Sequence, residues 1–316
     1  MRKKLLGLTV AALALAFASA VQAQETKTIG VSIPAADHGW TAGVVFHAER
    51  VAKLLMAEHP GLNVIVKTSP DPATQANAVQ DLAVQGIDAL VILPSDPDPL
   101  VNAIKEVKDA GKFVAIVDRA PSVNDGTVRD LYVAGNNPAL GEVAGKYIAE
   151  NTPDAEVVVI RGLPIPIDQQ RQDGFDKGIA GSNVKILDRQ FGNWNRDDAF
   201  KVMQDYLTKY QKIDVVWCQD DDMAVGVLEA IAQSKRTDIK YVVGGAGSKD
   251  MIKKVMDGDS MIPVDVLYPP AMVGTAMEMT AAALYSQVPV SGTYTIDATL
   301  ITKENAANYY FPDSPF

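Results

Sequence analysis

The chain has little of what most metal and redox chemistry needs. Its 316 residues hold one cysteine, Cys218, so neither an internal disulfide nor a cysteine-rich metal site is available. Three histidines, His38, His47 and His59, leave scant material for a zinc enzyme, and none stands beside a serine or cysteine in a recognisable hydrolase context. Basic residues are outnumbered: 29 Lys and Arg face 39 Asp and Glu, a formal charge of −10. That balance argues against the basic face of a nucleic-acid binder and the cationic cluster that anionic lipid attracts. Much chemistry is excluded before any motif is read.

Long hydrophobic runs are also missing beyond the first 23 residues. Met1 to Lys4 is a short basic start, and Leu5 to Phe17 is an apolar-to-neutral run. Ala18-Ser19-Ala20 and Val21-Gln22-Ala23 both offer small residues at the spacing a signal peptidase reads. The run is shorter than the roughly 20 residues of a spanning helix. Residues 1–23 therefore read as a secretory peptide cleaved after Ala23, with no lipobox cysteine to anchor the product. Removing Arg2, Lys3 and Lys4 takes the formal charge from −10 to −13 on a soluble, exported, monomeric chain.

What remains is rich enough to fold. The sequence is 47% hydrophobic and 22% charged, so it can bury a substantial core, in one large domain or two ordinary ones. Short runs apolar at successive positions recur: Ile29 to Ile33, Ala89 to Leu93, Phe113 to Val117, Val157 to Ile160, Val215 to Trp217 and Tyr241 to Val243. Such runs suit strands buried on both faces of a parallel sheet. Helix-period stretches separate them. Val44, Ala48, Val51 and Leu55 share one face, as do Leu140, Val143, Ala144, Tyr147 and Ile148, and then Ala199, Met203, Tyr206 and Leu207. Repeated units of this kind predict a doubly wound α/β architecture.

Polar residues follow each strand: Pro94-Ser95-Asp96, Asp118-Arg119, Arg161-Gly162, and Gln219 to Asp222. Open parallel sheets bind ligands beyond the carboxyl ends of their strands, so these residues form a candidate rim. Ser95, Asp96 and Asp222 are better explained as helix caps and turns. Asp118-Arg119, an ion-pairing couple directly at a strand end, reads as part of a site.

Three runs resemble a known family. Ala89 to Asp98, Val117-Asp118-Arg119, and Gln219 to Gly226 are similar to segments of the periplasmic sugar-binding proteins of the ribose-binding type. Asn136 to Gly141 with Ala144-Gly145 resembles the segment after that family's first inter-lobe crossing. The likeness runs from about Thr28 to Thr302. It implies two doubly wound parallel-sheet lobes joined by a three-segment hinge, the type I arrangement of periplasmic binding proteins. The first lobe is expected at 24–135 plus 267–297, the second at 136–266 plus 298–316. It further implies a ligand clamped between the lobes and delivered to an ABC permease in the inner membrane, with neither cofactor nor metal. Related repressors carry a DNA-binding module where this chain has its leader.

The resemblance also implies the ligand residues. Trp40, in Asp37-His38-Gly39-Trp40, stands where the family stacks an aromatic on the sugar, with Asp37 and His38 as polar partners. Asp118 and Arg119 match the family's acid–arginine pair, which reads adjacent hydroxyls by accepting and donating. Arg171 matches a second arginine and Trp194 an opposing aromatic from the other lobe. Asp220 falls where an asparagine is usual, so it accepts but cannot donate when ionised. Two positions depart from ribose sites. Ala246, in Gly244 to Gly247, occupies the place of an aspartate, and the strand at Met261 to Leu267 offers Asp265 or Tyr268 where an amide is usual. An alternative pentose, a hexose or a linear polyol is therefore expected instead of ribose.

Other signals carry less. Gly244 to Gly247 lacks the lysine and spacing of a phosphate loop, and Asp220 to Asp222 diverge around a helix start. Asp96 and Asp98 lack the glycine and distal glutamate of a calcium loop. Cys218 ends a core strand as an inert thiol. The alternative reading is a periplasmic sensor module presenting a sugar-like signal to a membrane kinase or chemoreceptor. A secreted enzyme on a similar scaffold is a third, and it predicts turnover of a bound ligand.

Overall fold

The computed structural model describes residues 26–285 and 289–316; the leader expected at 1–23 lies outside them. No helix among the described residues is long and apolar enough to cross a membrane.

Two parallel sheets organise the chain. The first contains β1 (Lys27–Pro34), β2 (Leu62–Ser69), β3 (Ala89–Ile92), β4 (Phe113–Val117), β5 (Leu131–Gly135) and β11 (Gly292–Ile296), in the order β11-β5-β4-β3-β1-β2. The second contains β6 (Glu156–Arg161), β7 (Lys185–Phe191), β8 (Val215–Cys218) and β9 (Tyr241–Val243), in the order β7-β6-β8-β9. A short antiparallel pair, β10 (Asp265–Val266) with β12 (Leu300–Ile301), lies beside the chain crossings. Between the strands run α1 (Gly39–Glu58), α2 (Pro72–Val84), α3 (Val101–Asp109), α4 (Asn137–Asn151), α5 (Pro166–Ile179), α6 (Arg196–Lys209), α7 (Asp221–Ser234), α8 (Lys249–Asp257) and α9 (Met272–Tyr285).

The six apolar runs all form strands, because each buries both faces. Along β3, Ala89 and Val91 join the core under α1 and α9, while Leu90 and Ile92 join the opposite core with Leu82 and Ile104. β8 divides likewise: Val215 and Trp217 meet Phe175 of α5, and Val216 and Cys218 meet the α6–α8 side. The Cys218 thiol is fully buried and its pKa is pushed well up by that burial.

The stretch Met261 to Leu267, expected to be one strand, is strand only at Asp265–Val266. Pro263, without an N–H, interrupts the ladder there.

The chain passes between the sheets after β5, between β10 and α9, and after β11. This is the expected two-lobed, doubly wound arrangement with three crossings, and it directs the carboxyl ends of β1, β4, β6 and β8 towards one cleft.

Candidate functional site

A cavity of about 340 Å³ lies in this cleft, lined by His38, Trp40, Asp118, Arg119, Ile167, Arg171, Trp194, Asp220, Ala246 and Tyr268.

Residues from the first lobe come from two strand ends. β1 runs out at Pro34, and α1 begins at Gly39, which places His38 and Trp40 at the junction. The Trp40 indole N–H donates to the Tyr268 carbonyl at 3.0 Å, and its ring lies tilted against the Tyr268 ring, 6.1 Å between centroids. Past β4, Asp118 takes a left-handed φ of 60°, unusual for a residue with a side chain. The turn is pinned because the Asp118 N–H donates to Val133 O at 2.9 Å and Tyr132 Oη donates to the Asp118 carbonyl at 2.6 Å. It brings the Asp118 carboxylate under the Tyr268 hydroxyl, which donates to it. Asp118 Oδ2 stands 3.8 Å from Arg119 Nε, an ion pair without a hydrogen bond. Arg119 Nη1 donates to Ser95 O at 2.8 Å, while its buried Nε has no partner.

The second lobe supplies the facing wall. Arg171 lies on α5, which crosses α4 so closely that a Cβ at Gly141 or Gly174 would strike the backbone of the other helix. Close approach sets Arg171 Nε to donate to Asn137 Oδ1 at 2.8 Å, and Nη1 to Gln219 O at 2.8 Å. Asn137 Nδ2 in turn donates to Tyr268 Oη at 3.0 Å, so one chain of bonds links Arg171 to Asp118 across the crossing. The guanidinium lies over the Tyr268 ring, 4.4 Å from its centroid.

Trp194, after β7, has φ of 53° and follows Asn193 at 57°; Ala246 has 118°. Three of the five positive-φ residues other than glycine, counted among the described residues, therefore line this cavity. Strain of about 1–3 kcal/mol each persists only where the surroundings impose it, and such positions cluster at ligand sites. The Trp194 indole lies against Gly162, whose N–H donates to Asp168 Oδ1 at 3.0 Å.

Electrostatics depart from what the residue types alone imply. Asp220 is the N-cap of α7, accepting from Met223 N–H at 2.9 Å, and burial pushes its pKa up to about 8, with Asp222 and Asp221 adding to the rise. At neutral pH it holds a proton and has an O–H to donate, where the sequence reading had an ionised acceptor. Burial also lowers the His38 pKa, keeping the imidazole neutral.

Asp37 and Asp265 are not brought to the cavity. Asp37 is largely exposed and accepts from Thr41 Oγ1 at 2.8 Å, bracing the start of α1. Asp265 is fully buried behind the wall, accepting from Val266 N–H at 2.8 Å and Gly247 N–H at 3.1 Å. Of the two alternatives at the last crossing, Tyr268 lines the cavity. Ile167 lines it too and carried no signal, being one more apolar residue on a helix. Asp222, expected as a cap or turn, accepts instead from Gly39 N–H at 2.5 Å, linking the lobes across the mouth of the cleft.

Two lobes enclosing a polar cavity walled by tryptophans, guanidiniums and a carboxylate define a solute-binding protein. The family model described as a periplasmic binding protein domain matches residues 29–287, and the chain belongs to this family, in its ribose-binding type. It is 29% identical over 307 residues to the ribose import binding protein RbsB of Escherichia coli, covering 96% of this chain and 100% of the relative. The Bacillus subtilis ribose import binding protein is 31% identical over 250 residues, 78% of each chain. Among solved structures, the Caulobacter myo-inositol binding protein bound to myo-inositol superposes with a TM-score of 0.78 at 25% identity, covering 89% of this chain and 95% of that one. These relatives are named as binding proteins.

Proposed function

We propose that the protein is the periplasmic receptor of an ABC importer, clamping one monosaccharide or sugar alcohol between its lobes and presenting it to the membrane permease. The cavity walled by Asp118, Arg119, Arg171 and two tryptophans carries this reading. The ribose and myo-inositol specificities named for its relatives support the ligand class. Residues 1–23 are removed on export, and 24–135 plus 267–297 close as a monomer against 136–266 plus 298–316.

In this reading Asp118 accepts from ligand hydroxyls while Arg119 and Arg171 donate, and Trp40 and Trp194 supply apolar faces for the C–H surface of the sugar. Asp220, protonated, donates as an amide would. Closure excludes water, so these contacts suffice for micromolar binding, about 8 kcal/mol. A thermal-shift screen of the exported chain over pentoses, hexoses and alditols tests it. At 100 times its dissociation constant a ligand adds about 2.7 kcal/mol of stability. A flat response across that panel refutes the ligand class.

A further inference from the structure

The cavity wall holds more positive charge than it balances. Arg171 is 5% exposed, and both of its hydrogen bonds go to neutral acceptors, Asn137 Oδ1 and Gln219 O. Among the described residues no carboxylate comes within ion-pair distance of it. Arg119 is 7% exposed, with the Asp118 carboxylate alone beside it, at 3.8 Å. That carboxylate already accepts from Tyr268. The two guanidiniums stand 5.9 and 5.8 Å from the Trp194 ring centroid, so both face one end of the cavity. The other titratable groups in the wall do not restore balance. Asp220 forms no ion pair and retains its proton at neutral pH, and His38 stays neutral. Two buried cations therefore share one anion.

We propose that the ligand supplies the missing charge: the cleft takes a small polyhydroxy acid, an aldonic or uronic acid, whose carboxylate lies between Arg119 and Arg171. An unpaired buried charge is costly, and an incoming carboxylate relieves that cost while its hydroxyls use Asp118 and Asp220. The planar guanidinium fork matches a carboxylate in bidentate geometry. A phosphate monoester carries about −1.5 to −2 charges at neutral pH and overshoots the single charge available. This inference rests on reading the cleft as a carbohydrate site, and narrows it.

Calorimetry on the exported chain with matched pairs tests it: erythronate against erythritol, xylonate against xylitol, gluconate against glucitol, glucuronate against glucose, and galacturonate against galactose. In at least one pair the acid binds tenfold or more tighter than its neutral partner, and the aldonate and glucuronate arms distinguish an open chain from a ring. Arg171→Lys preserves that preference in part and Arg171→Gln erases it, with unliganded melting reported for each. If Arg171→Gln does not fold, the wild-type pairs decide alone. Binding of a neutral member with no acid preferred overturns the carboxylate assignment and leaves the sugar-receptor reading standing. No binding by any member overturns the carboxylate assignment, and a flat thermal-shift response across pentoses, hexoses and alditols overturns the sugar-receptor reading with it.

Discussion

Gly162→Ala isolates the placement of the Trp194 wall. Gly162 ends the turn after β6 with an unexceptional backbone, so alanine costs nothing in φ. Its Cβ, however, would fall inside the Trp194 indole, on Cε2 and Nε1. The Gly162 N–H is fixed by Asp168, so the backbone resists moving and the indole must give way. Trp194 is 6% exposed and backed by the core of the second lobe, which leaves the cavity as its path of displacement. Overpacking of this kind costs about 1–3 kcal/mol. Because the ring moves into space the ligand needs, most of that cost falls on binding, a loss of about 10- to 100-fold. Titration calorimetry with the tightest ligand, paired with unliganded melting, reads both. Normal affinity with a lowered melting temperature would show that Trp194 is core alone.

Three further outcomes follow from the same geometry. Asp118→Asn keeps the left-handed turn, which asparagine tolerates, and keeps an acceptor for Tyr268 Oη. A neutral polyol should then bind weaker by about 2–4 kcal/mol, since charge-assisted bonds to two hydroxyls become ordinary ones. Unchanged calorimetric affinity with reduced melting would mark a structural salt bridge. Asp220→Asn preserves the α7 cap, and its effect depends on pH. The folded carboxyl keeps its proton to about 8 while the unfolded one loses it near 4. Folding takes up a proton between those values, so stability falls as pH rises across that window, by up to about 1.4 kcal/mol per unit. The variant should match wild type at pH 4 and melt higher at pH 8; equal melting at pH 8 defeats this. Asp265, raised to about 7 by burial, adds a slope of the same sign in both proteins. Asp222→Ala removes the bond to Gly39 N–H at the start of α1, and stopped-flow release should quicken about fivefold, the equivalent of roughly 1 kcal/mol. Unaltered release would show that the lobes close without it.

Strands buried on both faces were legible because every position along them is apolar, as in Phe113–Val117 and Val215–Cys218. The edge strand β9 was legible for the same reason, but the edge strands β7 and β11 were not. β7 reads Lys-Ile-Leu-Asp-Arg-Gln-Phe and β11 lies exposed, so neither shows a run of successive apolar residues. At the cleft, Asp118 and Arg119 were legible from their place at a strand end, and Tyr268 only as one of two choices. What escaped depends on the tertiary fold. Asp37 and His38 are neighbours in sequence, but the start of α1 turns one outward and one inward. The proton on Asp220 follows from burial, which no local pattern records, and the Asp222 bond joins residues 183 positions apart.

The most direct measurement is a crystal structure with the tightest ligand from the paired panel. The account predicts one sugar-sized molecule in the cleft, within contact of Trp40 and Trp194, with hydroxyls within about 3.2 Å of Asp118 and of the two guanidiniums. A ligand bound outside the cleft, or inside it without contact to Asp118, Arg119 or Arg171, would contradict it.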